Sequence, residues 1–442
     1  MIKVTKRMQD IINRDRKVFL TTTRVDYPFI ADRGEGDFVW DIEGNKFIDF
    51  TSFVSVHNLG VNSRAAVRNA VKTQLDRLSH AAFTDFHAEL PVKFAELLIK
   101  MFPAGFGKMF LSNSGTEANE AAMKFANIFT KRPYFMAFYN SFHGRTRGSL
   151  SLTSSRLKQR EHFGGGFAPV VHVPFPNCYR CPLKLKYPEC GIACLDYIRQ
   201  YPLKKEVSPD EVAAFFLEPV QGEGGYVFPP QDYYKELRKL LDEHGILMVS
   251  DEVQTGYMRT GKFLALDNYG VKADMYTMAK ALGAGLPIGA TVVSNKLGDI
   301  PSGSHSNTFG GNLLAVAAGY ESLKYVSQNK AKLEHDIKVK GKMALKRLKE
   351  MEERYELVGD ARGMGLMLAI ELVKDKGTKE PAVDERDQVV SECFNNGLIL
   401  LECGESTIRI IPPVTISENS LAKGLDILEN AIREVNVKMM SK

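Results

Sequence analysis

Short apolar runs alternate with segments of helical periodicity through the middle of the chain. The runs are Lys108–Leu111, Tyr134–Phe138, Ala213–Leu217, Ile246–Val249, Met275–Met278 and Ala290–Val293, and helical stretches such as 117–129 and 232–244 separate several of them. Short strands that are apolar on both faces and joined by helices predict a mainly parallel sheet covered on both sides, an α/β core. Residues 64–78 set Val67, Ala70, Val71, Leu75 and Leu78 at near-helical spacing, which predicts an amphipathic helix with Ser63 as its candidate cap.

After Gly311 the pattern changes to long helical stretches, 312–327 and 330–354, followed by strand-like runs and a closing helix near 418–434. The run Phe38–Asp49, with a Gly-Asn turn at 44–45, reads as a hairpin of a small N-terminal sheet. The expected organisation is a large domain over 59–310 and a smaller α+β domain assembled from 1–58 and 311–442. Neither an internal repeat nor a low-complexity segment is visible.

The chain has 442 residues, 44% hydrophobic and 25% charged, enough to bury an extensive core. Its formal charge of +5 is small, and its basic residues are scattered among acids, so nucleic acid is not implied. The first residues lack the apolar run of a signal peptide, and no apolar stretch reaches the roughly 18 residues of a membrane span. A cytoplasmic protein with no membrane partner is expected.

Candidate chemistry begins at Ile246-Leu-Met-Val-Ser-Asp251-Glu252, where an apolar strand ends in two acids. In α/β sheets ligands gather at the carboxyl ends of strands. Taken alone, such acids also fit a capping or metal-binding role. Met275-Tyr-Thr-Met-Ala-Lys280 repeats the form with a lysine, followed by Ala281-Leu-Gly-Ala-Gly285. Desolvation lowers the pKa of a buried ammonium and makes the amine nucleophilic enough for a Schiff base. In Phe110-Leu-Ser-Asn-Ser114-Gly115-Thr116-Glu-Ala118 a strand enters a helix through hydroxyl residues and a glycine, a cradle suited to phosphate. A phosphate cradle, a strand-end aspartate and a strand-end lysine are the three attachments pyridoxal phosphate needs: Asp251 for the pyridine nitrogen, Lys280 for the aldehyde carbon.

The order and spacing of these motifs resemble the class III (ω-amino acid) aminotransferases, from about Gly36 to Pro413. The resemblance is carried by Ser114–Ala118, Ser141-Phe-His-Gly-Arg-Thr146, Glu218-Pro-Val-Gln-Gly-Glu-Gly-Gly225, Asp251-Glu-Val-Gln-Thr-Gly256, Lys280 with its glycine-rich tail, and Thr308-Phe-Gly-Gly311. It implies a fold type I pyridoxal-phosphate transferase: a large domain with a mainly parallel seven-stranded sheet plus a smaller α+β domain. By the same resemblance, Ser114, Gly115, Thr116, Phe142, His143, Val253 and Gln254 join Asp251 and Lys280 around the cofactor. Phe142 and Val253 are expected on opposite faces of the ring, Gln254 at its phenolic oxygen, and Thr308 at the phosphate of a neighbouring subunit. A homodimer, or a higher homo-oligomer with interfacial active sites, follows.

For substrates, the resemblance assigns the α-carboxylate to Arg409, with Glu218 pairing that arginine when an ω-amine enters. It assigns the distal carboxylate to Arg145 and a pocket wall to Val54. The expected reaction is ping-pong transfer from an ω-amino acid, such as 4-aminobutyrate or ornithine, to a 2-oxo acid such as 2-oxoglutarate. Lys280 would act as the base. Amino acid racemases and epimerases share these motifs. Arg145, Arg409 and Glu218 together favour transamination over racemisation.

Cys178, Cys181, Cys190 and Cys194 cluster in an insert at about 177–195. Their spacing suits a zinc-binding interaction module, a disulfide-stapled loop or free thiols. Whichever holds, the cluster lies outside the cofactor motifs.

Overall fold

The computed structural model describes residues 2, 4–20, 22, 28–162 and 168–441. At its centre is a seven-stranded sheet: β1 Phe106–Ser112, β2 Tyr134–Phe138, β3 Val170–Val173, β4 Val212–Leu217, β5 Leu247–Asp251, β6 Met275–Met278 and β7 Gly289–Ser294. The strand order is β1-β7-β6-β5-β4-β2-β3. Strands β3, β2, β4, β5 and β6 pair in parallel, whereas β7 runs antiparallel to both β1 and β6. This is the mainly parallel α/β sheet that the sequence predicts. Every residue of β4, β6 and β7 is buried, so these strands read as continuous apolar runs. Edge strand β3, which the sequence reading missed, is only Val-Val-His-Val and alternates half-buried with buried positions.

Among the longer helices are α1 Ala65–Arg77, α2 Gly115–Thr130, α3 Tyr233–Glu243, α4 Leu313–Gln328, α5 Lys330–Arg354 and α6 Glu418–Met440. Ser63 does not cap α1. Arg64 occupies the cap position without a side-chain bond, and the Ser63 hydroxyl turns back to donate to the Gly60 carbonyl at 3.2 Å. Helix α1 packs on α4 with Val67, Ala70 and Val71 half-buried, while Leu75 and Leu78 stay 59% and 53% exposed.

Residues from both ends of the chain build two further sheets. Ala31–Glu35, Phe38–Asp41 and Lys46–Asp49 form antiparallel strands, and Leu398–Ile399 adds in parallel to the last. Asp41 fixes the hairpin turn by accepting from the backbone N–H of Glu43 and Asn45, at 3.0 and 2.9 Å. The second sheet is antiparallel, Val358–Met364, Met367–Leu372, Thr407–Ile410 and Leu401–Cys403.

Between the sheets, Ser52, Phe53, Val54 and Ser55 all take positive φ, from 45° to 64°. A left-handed turn costs L-residues roughly 1–2 kcal/mol each and is worst for a β-branched side chain such as Val54. The surroundings hold it in place. Asp49 accepts from the Thr51 hydroxyl and from the N–H of Thr51 and Ser52. Arg259, fully buried, donates to Ser55 Oγ at 3.0 Å, Ser52 Oγ at 3.3 Å, Asn58 Oδ1 at 2.6 Å and the carbonyls of Leu366 and Pro412.

Removing Arg259 leaves those acceptors and Asp49 buried without it. Arg259→Leu is therefore expected to lower unfolding stability by about 3–5 kcal/mol, read as a shift in denaturant midpoint. A loss below about 1 kcal/mol, within the range of an ordinary surface substitution, would show that the turn supports itself.

Candidate functional site

Asp251 ends β5 and Glu252 follows it, and strand alternation sends the two carboxylates to opposite sides. Glu252 turns into the protein: it accepts from Thr255 Oγ1 at 2.7 Å and from the N–H of Ala265 and Leu266 at 2.9 and 3.0 Å, and burial pushes its pKa up to about 7. Its role is to close the loop after β5. Asp251 faces the site. Its Oδ2 accepts from Asn119 Nδ2 at 2.7 Å and lies 2.8 Å from His143 Nδ1, while Oδ1 accepts from the Val253 N–H at 3.0 Å. Asn119 reaches from α2, also donates to the His143 carbonyl, and receives the Thr277 hydroxyl of β6 at 2.8 Å. The aspartate is thus fixed from three elements.

Lys280 follows β6 in a left-handed conformation, φ 44°. Burial lowers its pKa to about 8, against the opposing pull of nearby Asp251; Arg409 lowers it further, while Glu218 and Glu223 raise it. At pH 7 roughly a tenth of this amine is then uncharged, far more than in an ordinary lysine.

Ser114 caps α2, its hydroxyl accepting from the Glu117 N–H at 3.2 Å. Among the described residues the N–H groups of Gly115 and Thr116 have no chain partner, so the helix start presents free donors. A Cβ at Gly115 would come within 2.8 Å of Val253, and one at Gly144 within 2.2 Å of Thr116 Oγ1. Both glycines let backbone and side chains close around the cradle. Thr116 Oγ1 is 2.9 Å from Thr146 Oγ1 and 2.5 Å from Ser149 Oγ.

The buried Glu218 accepts from the N–H of Phe142 and of Gly222, both at 2.9 Å, and burial with the nearby Asp251 charge raises its pKa to about 7. It positions Phe142, over whose ring the exposed Arg145 guanidinium sits at 5.1 Å. Gln254 lies beside this turn: a Cβ at Gly222 would meet Gln254 Oε1 at 2.8 Å. That oxygen is buried and has no partner among the described residues. Val54 sits in the left-handed turn held by Arg259.

The pairing expected of Glu218 and Arg409 is not formed in this structure. Both Glu218 oxygens are taken by backbone N–H, and the carboxylate on Arg409 is Glu223, at 3.0 Å. The reason is local. Gly404 donates to the Glu223 carbonyl at 2.8 Å, and Arg362 ties the carbonyls of Gly225 and Tyr226 at 2.6 and 2.9 Å, so this loop lies against the sheet bearing Arg409. Arg409 is buried and also donates to the Glu402 carbonyl, at 2.9 Å from Nε and 2.6 Å from Nη2. Sequence reasoning missed Asn119, Glu223, Arg259 and Arg362. Asn119 directly follows a recognised motif and Glu223 lies inside one, whereas Arg259 and Arg362 carry no local signal.

Thr308 is exposed, and no hydrogen bond among the described residues joins it to the cradle. The four clustered cysteines are free thiols around one apolar cavity with Phe175 and Leu183, and Cys194 lies on the helix Ala193–Gln200. No disulfide staples the insert in this structure. Burial pushes the Cys194 thiol up to about 12. Among the described residues no three His, Cys, Asp or Glu side chains are arranged to hold a metal ion.

Residues 21–432 match the family described as aminotransferase class-III. The leucine/methionine racemase of Thermococcus litoralis is 41% identical, over 97% of this chain and 96% of its own. The 5-aminovalerate aminotransferase of Pseudomonas aeruginosa is 36% identical over 92% and 94%. Among solved structures, the taurine:2-oxoglutarate aminotransferase from Bifidobacterium kashiwanohense, in complex with PLP and glutamate, has a TM-score of 0.90 and 28% identity over 99% of this chain and 100% of that one.

The Lys280 microenvironment is directly testable. In competitive acetylation of the cofactor-free protein, read by mass spectrometry, its reactivity should be half-maximal near pH 8. Asp251→Asn removes the charge that raises this pKa and should move the midpoint lower. A midpoint in the ordinary lysine range, or an upward shift in the variant, would contradict the assigned environment.

Proposed function

The chain belongs to the class III aminotransferase family, and from that premise we propose that it moves an amino group from an ω-amino acid to a 2-oxo acid such as 2-oxoglutarate. Its cofactor is pyridoxal phosphate. The residues present fit that group: free N–H donors and hydroxyls at the start of α2 suit the phosphate, Asp251 suits a protonated ring nitrogen, and the unpartnered Gln254 Oε1 calls for a polar ligand. An amide flip would let the same side chain donate to a phenolic oxygen. Bound there, the cofactor supplies an aldehyde for the incoming amine and a ring that accepts electron density from the substrate carbon.

The chain's own groups do the rest. Asp251 holds a proton on the ring nitrogen, and Asn119 and His143 keep that carboxylate aimed. Lys280, with its lowered pKa, takes the proton from the substrate carbon and returns it. Phe142 and Val253 bracket the ring, and Arg145, Arg409 and Val54 receive the substrate.

The observation that carries the transaminase reading is the Arg409–Glu223 pair, 3.0 Å. A carboxylate covering the α-carboxylate arginine has a use when one substrate lacks an α-carboxylate and the next one carries it. An enzyme handling only α-amino acids would gain nothing from the cover. Racemisation stands as the second reading, favoured by the 41% identity to an archaeal racemase. A homodimer is part of the proposal, supported by the exposure of Thr308 and Phe309. Among the described residues no helix is long and apolar enough to cross a membrane, and we place the enzyme in the cytoplasm.

Mixing holoenzyme with one amino donor at a time and no oxo acid separates the readings. With 4-aminobutyrate we expect conversion of the cofactor to its pyridoxamine form. Scrambled chirality of L-alanine with the cofactor spectrum retained would replace transamination by racemisation. Borohydride treatment should leave the cofactor label on Lys280, and an unlabelled Lys280 would remove the basis of both readings.

A further inference from the structure

Glu223 does not face Arg409 alone. Its Oε1 lies 3.2 Å from Arg156 Nη2, while its Oε2 lies 3.0 Å from Arg409 Nη2. Arg156 also reaches both oxygens of Glu402 at 3.4 Å. Two arginines and two glutamates therefore form a chain from the buried site outward: Arg409 is 7% exposed, Glu223 20%, Glu402 40% and Arg156 42%.

We propose that Arg156 is a specificity-determining positioning residue, the seat that keeps Glu223 paired when an α-carboxylate takes its place on Arg409. This rests on the transaminase reading above. Releasing Glu223 from Arg409 with no second cation would strand a largely buried carboxylate, which is costly. Arg156 removes that cost, because Glu223 already holds it through the oxygen that does not face Arg409. Arg409 does not follow Glu223 outward, since its Nε and Nη2 are both anchored on the Glu402 carbonyl. The glutamate thus moves between two arginines while the buried arginine stays aimed into the site. Substrates without an α-carboxylate leave Glu223 where it is and have no need of Arg156.

The test compares wild-type holoenzyme with Arg156→Leu and Arg156→Lys. Binding of 2-methylalanine, which carries an α-carboxylate but no removable α-proton, is followed by calorimetry, and KM and kcat are measured for 2-oxoglutarate and 4-aminobutyrate. In Arg156→Leu the Kd for 2-methylalanine and the KM for 2-oxoglutarate should rise about tenfold, the loss expected when one charge-assisted contact is removed. Within the same variant, kcat and the KM for 4-aminobutyrate should stay close to wild type, and Arg156→Lys should recover part of the loss. Equal changes for both substrate classes, or no change in either, would overturn the assignment. If 4-aminobutyrate proves inert while L-alanine is racemised, the transaminase reading fails, and the 2-methylalanine constants still decide the role of Arg156.

Discussion

A guanidinium withdrawn wholly from water must find an acceptor for each N–H, and Arg259 does so with groups from three remote stretches of chain. Ser52, Ser55 and Asn58 come from the N-terminal part, and the carbonyls of Leu366 and Pro412 from the C-terminal part. Arg259 itself lies a few residues beyond Asp251 and Gln254. The strained turn carrying Val54 and the strand carrying Arg409 are therefore located relative to the cofactor motifs by one buried cation. Bonds from Ser52 Oγ to the Ile411 carbonyl and from Asn58 Nδ2 to the Tyr257 carbonyl join the same segments beside it.

The same principle operates at smaller scale around Asp251. Its carboxylate is aimed by donors from α2, from the segment after β2 and from its own loop, so no single element sets its direction. The long-range electrostatics follow. Asp251 opposes the fall in the Lys280 pKa that burial drives, and adds to the rise in that of Glu218.

How much of this was legible in the sequence depends on how local the signal is. Strands β4 and β6 announce themselves because both faces are apolar, and Asp251 and Lys280 stand at the ends of such runs. Strand β3 was lost because its half-covered residues shorten the apolar signal. The carboxylate on Arg409 was assigned to the wrong end of the Glu218–Gly225 motif. Two glutamates five positions apart look equivalent until the contacts of Gly404 and Arg362 with the loop are known, and those partners lie far along the chain. The Ser63 cap failed for a nearer reason, a competing bond within its own turn.

The opposite destinies of Asp251 and Glu252 bear on how the gene can vary in length. A single codon deleted within β5 would move Glu252 into the place of Asp251 and Asp251 into that of Ser250, presenting the longer acid to Asn119 and His143 and leaving neither acid to close the Ala265–Leu266 loop. Insertions and deletions should therefore accumulate in surface connections and be absent from this strand, making its residue count as strict a signature of descent as the acids themselves.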